Sequence, residues 1–408
     1  MKTVVIGAGW GDEGKGKIVD YLADKSDIIV RFSGGANAGH TIVAAGQTYA
    51  LHLVPSGVLY AGKTVVLGAA MVIDPKSLFD EIDMLQNRGI KTAGRIFISD
   101  RAHIVLPGYI DLDKKTDAQR KKPIGTTGRG IGTAYSFKSS RDGIRIADLD
   151  WAEKIDELDD DDRNFINGYK EKLKSMSIDL CAFLENNKDK NILFEGAQGA
   201  LLDLDLGTYP YVSSGLSCAA GAAVGGCVGP ASLNNILGVF KAYSTRVGNG
   251  PFVTEFNESD AGEGELGRFV RETGHEYGVT TGRARRCGYL DLVALRYACI
   301  TNSITSLVMT HIDIYDTLNE IKACTAYNIN GKDTKDFPSS ITALNNAKPV
   351  LKTFAGWNTD ITKVASYDEL PPKAKEYIAF IEDFCNTKIG IVSVGADRNQ
   401  TIIRALRA

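Results

Sequence analysis

Residues 10–17 place glycines, two lysines and a carboxylate in one loop, a combination that suits chemistry on a phosphorylated ligand. The glycines let the backbone turn tightly and bring its N–H groups against phosphate oxygens, and Lys15 and Lys17 add positive charge. Asp12 lies in the same loop, where it would repel a phosphate unless a metal ion or a proton transfer uses it. The loop therefore indicates a reaction on a nucleotide in addition to binding.

The spacing from Gly11 to Lys17 is that of a P-loop, G-x-x-x-x-G-K. The next residue is Ile18, so the Ser or Thr whose hydroxyl usually binds magnesium is missing. An ordinary P-loop NTPase is therefore disfavoured. The alternative interpretation is a glycine-rich turn that only eases packing.

Two further glycine segments carry polar side chains. Residues 34–41 follow a strand-like run and contain Asn37 and His40, on a turn where reacting groups tend to lie. Residues 124–132 combine glycines, paired hydroxyls and an arginine that suit a phosphate oxyanion. The alternatives are a capping Asn with a structural His, and an ordinary surface loop.

The fourth and fifth motifs lie later in the chain. Residues 194–199 again run from a strand into a glycine turn, where Gln198 offers a donor and an acceptor to a purine edge. Residues 279–286 hold two threonines and three arginines, which would clamp a dicarboxylate or a phosphate. The alternative for this last segment is a solvated basic turn.

The elements that position these motifs alternate between strand and helix patterns. We predict strands at 4–6, 28–32, 65–67, 96–99, 192–194, 307–314 and 389–394. We predict helices at 75–88, 169–185, 290–301 and 371–385, and one that begins near Ile18. This alternation predicts an α/β fold with a large, mostly parallel twisted sheet flanked by helices, in one domain over residues 1–408 with insertions. The glycine loop after the first strand fits the ligand-binding edge of such a sheet.

Bulk properties exclude several classes. The net charge of −3 gives no global field for nucleic acid or an anionic membrane, and we expect neither partner. We see no signal peptide and no membrane-spanning segment. Seven cysteines form no C-x-x-C pair, which predicts a cytoplasmic protein with reduced thiols. The five histidines show no metal-ligand spacing.

Taken together and in this order, the motifs resemble the adenylosuccinate synthetase family along nearly the whole chain. The matching stretches are residues 10–17, 34–41, 124–132, 194–205, 207–212, 241–248 and 280–282. The resemblance implies a ligase that joins L-aspartate to C6 of a purine 5′-monophosphate, using a nucleoside triphosphate and Mg²⁺. It also implies a homodimer in which Arg141 reaches the neighbouring subunit's site.

The resemblance also assigns roles by position. It implies that Asp12 removes the N1 proton of the purine, so that the 6-oxyanion attacks the γ-phosphate. The implied catalytic residues are Asp12, His40, Lys15 and Gln198, and the implied metal ligands are Asp12 and the carbonyl of Gly39. The implied monophosphate-binding residues are Asp12, Asn37, Ala38, Thr126, Thr127, Arg141, Gln198, Ser213, Gly215, Val247 and Arg283. The implied aspartate-binding residues are Val279, Thr280, Thr281, Arg283 and Arg285. The implied triphosphate-binding residues are Gly11, Gly14, Lys15, Gly16, Lys17, Gly39, His40, Thr41, Arg285, His311, Asp313, Ser393 and Gly395.

Departures from the family pattern fall around the two bases. The family's Thr-Lys-x-Asp has His311 in place of the lysine, and its C-terminal Gly-Pro has Ala396 in place of the proline. Gly9 replaces a glutamine, and Gly215 replaces a serine near the purine, which we interpret as space for a 2-amino group. These changes resemble the phage branch, which converts dGMP to N6-succino-2-amino-2′-deoxyadenylate for 2-aminoadenine DNA, with ATP or dATP as donor. That branch would place the protein in the host cytoplasm.

The sequence leaves three alternatives to this dGMP enzyme. The first is a conventional family member that uses IMP and GTP, since some phage members lack the loop aspartate and Asp12 is present here. The second is a nucleotide-binding switch without ligation, which Ile18 disfavours. The third is an inactive homologue used as a scaffold, against which the retention of Asp12, Lys15, His40 and Arg283 argues.

Overall fold

The computed structural model of the chain describes residues 1–44, 47–121, 123–278, 282 and 284–404, without the side chains of residues 40, 41, 43, 44 and 152. Its strands are β1 (Lys2–Gly7), β2 (Ile28–Gly34), β3 (His40–Ala44), β4 (Gln47–Leu51), β5 (Thr64–Ile73), β6 (Ile96–Ser99), β7 (His103–Ile104), β8 (Ser177–Ile178), β9 (Ile192–Gly199), β10 (Asn235–Lys241), β11 (Ser244–Arg246), β12 (Arg286–Gly288), β13 (Leu290–Asp291), β14 (Ser306–Thr310), β15 (Glu320–Ile329), β16 (Lys332–Thr334), β17 (Lys348–Ala355), β18 (Ile389–Ser393) and β19 (Thr401–Ile403). Its α-helices are α1 (Lys15–Ala23), α2 (Pro75–Asn87), α3 (Pro107–Gln119), α4 (Ile131–Ser140), α5 (Ala152–Asp156), α6 (Asp160–Met176), α7 (Leu180–Asn186), α8 (Ala220–Gly225), α9 (Ala261–Thr273), α10 (Leu292–Asn302), α11 (Ile341–Asn346) and α12 (Pro372–Cys385).

An 11-stranded sheet in the order β19-β18-β14-β10-β1-β9-β2-β5-β6-β8, with β7 beside β5, forms the centre of the molecule. All its pairings are parallel except that of β18 with β19. The predicted α/β fold with a large, mostly parallel sheet is therefore confirmed. Smaller sheets are the β3–β4 hairpin, the β11–β12 pair and the group of β13, β15, β16 and β17.

Successive residues of the central strands enter two separate hydrophobic cores. Val4 and Ile6 of β1 are buried in one core, and Val5 between them is buried in the other. Side chains alternate between the faces of a strand, so the two cores lie on opposite faces of the sheet. Burial on both faces is typical of parallel sheets, and it explains why these strands are continuously apolar.

Two predicted elements differ from the structure for local reasons. The predicted strand 307–314 ends at Thr310, because His311 adopts a left-handed conformation (φ 58°) and Ile312–Tyr315 forms a 3-10 helix. The predicted helix 169–185 is two helices, α6 and α7. Between them β8 pairs with β6, and Asp179 caps α7 by accepting from two backbone N–H groups. No helix in the described part of the chain has the length and apolarity that crossing a bilayer needs.

Candidate functional site

One large cavity opens at the edge of the main sheet where the parallel strands end. Its volume is about 680 Å³, and its walls contain residues that follow β1, β2, β9, β10, β14 and β18. Residues of all five sequence motifs line it. Several strand ends converge at this edge of a parallel sheet, which makes the cavity the candidate functional site.

A buried carboxylate, Glu13, organises the first glycine loop, and sequence reasoning missed it. Its Oε1 accepts hydrogen bonds from the N–H groups of Gly9 (3.1 Å) and Gly11 (2.8 Å). Its Oε2 accepts one from Lys15 Nζ at 2.6 Å. Lys15, a predicted phosphate ligand, therefore lines the cavity with its charge already paired. The available signal is an acid two residues before a lysine within a glycine loop.

Asp12 reaches the cavity from the same loop. Its backbone adopts a left-handed conformation (φ 58°), and its side chain is 35% exposed. Asp12 Oδ2 lies 2.8 Å from Arg285 Nε, so the structure brings together two residues that sequence motifs far apart in the chain predict. A partly exposed carboxylate beside a guanidinium can accept a proton or bind a cation.

Lys17 connects the first loop to the C-terminal part of the site. Its Nζ donates to Ser393 Oγ and to the Gly395 carbonyl, both at 2.7 Å, and to the Gln400 carbonyl at 3.1 Å. Burial lowers the pKa of Lys17 to about 8, although the nearby carboxylate of Asp313 opposes that shift. The structure thus brings predicted triphosphate residues together, but it bonds Lys17 to the protein's own oxygens, which would have to be exchanged for a phosphate contact.

His311 and Asp313 follow β14 at the same end of the cavity. The His311 ring packs edge-on against Tyr243 at 5.9 Å between centroids, and its Nδ1 is buried without a hydrogen-bond partner among the described residues. Burial, and then the charge of Lys241, lower the pKa of His311 to about 3, so its imidazole is neutral at pH 7. Burial raises the pKa of Asp313 to about 6.

Arg31, which is buried, and Tyr135, which is half-buried, hold the second glycine loop (residues 34–41) in place. Arg31, 1% exposed, donates through NH2 to the Gly35 carbonyl at 2.6 Å. The Gly34 N–H donates to Tyr135 Oη at 3.0 Å, and Asn37 Oδ1 accepts from the Gly35 N–H at 3.1 Å. These contacts place the backbone of the loop on the cavity wall. The side chains of His40 and Thr41, two predicted ligands, lie outside the described residues.

Several predicted ligands line the cavity as a group. They are Gly11, Gly14, Gly16, Asn37, Ala38, Gly39, Thr126, Thr127, Gln198, Ser213 and Val247. Ser213 Oγ is buried on the cavity wall and has no hydrogen-bond partner among the described residues. Val279, Thr280, Thr281 and Arg283 lie outside the described residues.

The structure contradicts the interpretation of Gly215 as space for a purine substituent. A Cβ added at Gly215 would lie 2.9 Å from Tyr135 Oη and 3.1 Å from its Cζ, so the phenol already occupies that space. Gly215 also does not belong to the described cavity lining. Arg141, an exposed residue with φ 74° at the C-terminus of α4, is also absent from the described cavity lining. A glycine in place of serine carries no information about which atom the missing side chain would contact.

Two further charged residues lie at or beside the site, and sequence reasoning gave neither a role, although Lys241 begins one of the matching stretches. Glu276 is fully buried and accepts from Arg285 NH1 at 2.8 Å and from Lys241 Nζ at 2.5 Å. The Lys241–Glu276 contact joins residues 35 positions apart, which no local spacing indicates, whereas Glu276 and Arg285 are nine positions apart. Within the described residues, no cluster of three or more His, Cys, Asp or Glu could hold a metal ion by itself.

Comparison with known proteins identifies the family. The protein-family model for adenylosuccinate synthetase matches residues 4–402. The chain is 47% identical to the adenylosuccinate synthetase of Clostridium novyi (strain NT) and 47% identical to that of Clostridium perfringens (strain 13 / Type A). In each case the alignment covers 98% of both chains.

Two solved structures have the same fold. One is the fully ligated adenylosuccinate synthetase of Plasmodium falciparum, with a TM-score of 0.91, 39% identity and coverage of 99% of both chains. The other is the succinoaminodeoxyadenylate synthetase (PurZ) of cyanophage S-2L, bound to dGMP and dATP. Its TM-score is 0.62, its identity 17%, and the match covers 98% of this chain and 95% of the phage chain. At that identity the phage structure shows the fold alone. The chain belongs to the adenylosuccinate synthetase family, and it is a carbon–nitrogen ligase of that type.

Proposed function

We propose that this protein joins L-aspartate to C6 of IMP with GTP as the phosphoryl donor, forming adenylosuccinate. The observation that carries the proposal is the ion pair between Asp12 and Arg285 on the wall of a cavity that both glycine loops line. It places a carboxylate able to take a ring proton beside a cation able to bind an acid or a phosphate.

Asp12 is the proposed general base. It takes the N1 proton of the purine, the electron pair moves to O6, and O6 attacks the γ-phosphorus as the diphosphate leaves. The aspartate amine then attacks C6, the C6–O6 bond breaks, and phosphate departs while the amine gives up one proton. Cations and backbone N–H groups fixed before the reaction stabilise the charge that develops on the transferred phosphoryl group. We propose that Lys15 and Lys17 are these cations and that the first glycine loop supplies these N–H groups. His40 and Gln198 are proposed to assist at the phosphoryl group and the purine edge.

The residues present fit a magnesium ion that substrate phosphates complete. Mg²⁺ prefers oxygen ligands and is often held by one or two carboxylates together with phosphate oxygens. Asp12 offers a partly exposed carboxylate, and Gly39, an exposed residue on the cavity wall, offers its carbonyl. The bound ion would neutralise charge on the transferring phosphoryl group.

IMP takes precedence over dGMP as the proposed acceptor for two reasons. The relatives that are 47% identical are named adenylosuccinate synthetase, whereas the phage enzyme shares 17% identity. The side chain of Tyr135 also fills the space beside Gly215 on which the dGMP interpretation depended. The dGMP reaction is therefore kept as an outcome of the experiment below.

GTP is proposed as the donor because of Asp313. A carboxylate at the base end of the cavity can accept from both N1–H and the 2-amino group of guanine, and adenine offers no such pair. Burial raises the pKa of Asp313 to about 6, so most molecules carry the charge at pH 7.5. His311 replaces the lysine stem that would cover the base, and ATP and dATP are the competing donors.

The proposed assembly is a homodimer in which Arg141 serves the partner's site. Its exposed position at the end of α4, outside the cavity lining of its own chain, supports this role. The cytoplasmic location stays a prediction, which rests on seven cysteines that are all free.

A substrate matrix tests the proposal. The purified protein is incubated with L-aspartate, MgCl₂ and every combination of IMP, GMP or dGMP with GTP, ATP or dATP, and products are identified by mass. We expect adenylosuccinate from IMP and GTP, with phosphate release that requires all four components. Faster turnover of dGMP than of IMP would reject the proposed acceptor. Phosphate release that is independent of aspartate would reject ligation altogether.

A further inference from the structure

Glu276 is a completely buried carboxylate next to the site and outside all five motifs. Its Oε1 accepts from Lys241 Nζ and from Tyr243 Oη, each at 2.5 Å, and its Oε2 accepts from Arg285 NH1 at 2.8 Å. The side chain has 0% exposure. A carboxylate that three donors hold in this way has little freedom to move.

Glu276 and Arg285 also close the neck of the loop that carries the fifth motif. The Arg285 N–H donates to the Glu276 carbonyl at 2.8 Å, and Tyr277 pairs with Ala284 in an antiparallel bridge. The loop therefore begins beside Glu276 and ends at Arg285. Arg285 is therefore held by hydrogen bonds to both the backbone carbonyl and the side chain of Glu276.

The two acids that face Arg285 differ in accessibility. Asp12 is 35% exposed to the cavity, whereas Glu276 is sealed from it. Burial by itself would raise the pKa of Glu276, but the charge of Lys241 and the hydrogen bonds from Lys241 and Tyr243 lower it to about 2. Glu276 thus remains an anion at any pH where the protein works, while Asp12 is free to exchange Arg285 for a substrate group.

We propose that Glu276 is a positioning residue that holds the Arg285 guanidinium at the cavity wall and thereby sets the affinity for L-aspartate. This inference rests on the proposed function and on the role of aspartate ligand that the family resemblance implies for Arg285. Binding a substrate carboxylate through two hydrogen bonds requires the planar guanidinium of Arg285 to keep a fixed orientation. Glu276 supplies that orientation through its hydrogen bond with NH1, while Nε faces Asp12 on the cavity wall.

The test is Glu276→Gln, which keeps the shape and removes the charge. We expect the KM for L-aspartate to rise about 10- to 100-fold, as for loss of a hydrogen bond between charged groups. The kcat and the KM for the monophosphate should stay within about threefold. The matched control is Tyr243→Phe, which removes one donor to Oε1 but leaves the charge and the Arg285 contact, and should keep the aspartate KM within about twofold.

Folding is controlled separately, since Glu276→Gln leaves Lys241 buried without its acid. The double variant Glu276→Gln/Lys241→Met removes both buried charges, and the same rise in aspartate KM is expected from it. Thermal unfolding and calorimetric binding of L-aspartate accompany every variant. Binding must weaken in parallel with the KM.

A double-mutant cycle with Arg285→Ala shows whether Glu276 acts through Arg285. Glu276→Gln should add less than about twofold to the loss that Arg285→Ala causes alone. If Glu276→Gln raises the aspartate KM by the same factor in the wild-type and Arg285→Ala backgrounds, the inference is rejected but the proposed function is not. The same holds if Glu276→Gln leaves the aspartate KM of an active protein unchanged. A wild-type protein without aspartate-dependent phosphate release would reject the proposed function and this inference with it.

Discussion

Replacement of Gly215 by alanine distinguishes a glycine that borders the purine from one that packs against Tyr135. The new Cβ would lie 2.9 Å from Tyr135 Oη, closer than such atoms approach. The hydroxyl is anchored, because it accepts from the Gly34 N–H at 3.0 Å and donates to the Ala70 carbonyl at 2.7 Å. Alanine must therefore displace the phenol or shift its own loop.

The size of the effect follows from these contacts. Losing the two hydrogen bonds costs about 0.5–1.5 kcal/mol each, and overpacking a rigid site costs about 1–3 kcal/mol, so both routes agree on roughly 1–3 kcal/mol. The unfolding midpoint should fall by a few degrees. Release of the Gly34 N–H also loosens the loop that carries Asn37. The kcat/KM for IMP and for dGMP should therefore fall by the same factor.

Calorimetric unfolding and the ratio of kcat/KM for IMP and dGMP measure both effects. The matched control is Gly229→Ala, where a Cβ would meet no heavy atom within 4 Å and the midpoint should not change. In a Tyr135→Phe background the alanine should cost less, because the closest contact is gone. A stable Gly215→Ala protein whose substrate ratio changes by about tenfold or more would refute this account and restore the purine-facing interpretation.

Three other perturbations test the site. Asp12→Ala and Arg141→Ala should each be inactive, and a 1:1 mixture should regain about a quarter of the wild-type activity if dimers share their sites; mixed dimers without activity would reject sharing. Gly199→Ala places a Cβ 2.2 Å from the Gly9 carbonyl and 2.5 Å from a carboxylate oxygen in the first loop, so kcat/KM should fall about 100-fold; steady-state kinetics near the wild-type value would contradict the packing argument. His311 has a pKa of about 3 in the folded protein, below its unfolded value of about 6.5, so its contribution to stability is complete above pH 6.5 and is lost as the pH falls towards 3. Between pH 7.5 and 5.5, urea unfolding should show a larger decrease in the free energy of unfolding for the wild type than for His311→Asn. Equal decreases would rule out a buried neutral imidazole.

The strands that carry the site could be predicted because their signals are local. The runs at 28–32 and 192–194 lie inside β2 and β9, and the predicted strand at 96–99 has the bounds of β6. Buried parallel strands are continuously apolar, and the glycines that follow them mark the turns at the ligand edge. The strand β15 (Glu320–Ile329) escaped prediction because it belongs to a smaller sheet and mixes charged with apolar residues.

The sequence by itself determined the fold class, the family and the segments that meet in the cavity, since glycine turns and apolar runs act within a few residues. Only the tertiary structure decided which group each charged side chain contacts. It pairs Lys15 with Glu13, and it pairs Arg285 with both Asp12 and Glu276. It also places the Tyr135 ring in the space that a side chain at Gly215 would occupy. The Lys15–Glu13 and Glu276–Arg285 pairs are local, at two and nine residues apart. The Asp12–Arg285 pair and the contact of Tyr135 with Gly215 depend on distances between segments that lie far apart in the chain. Such distances depend on the order in which the strands pair in the sheet and not on the spacing of residues along the sequence.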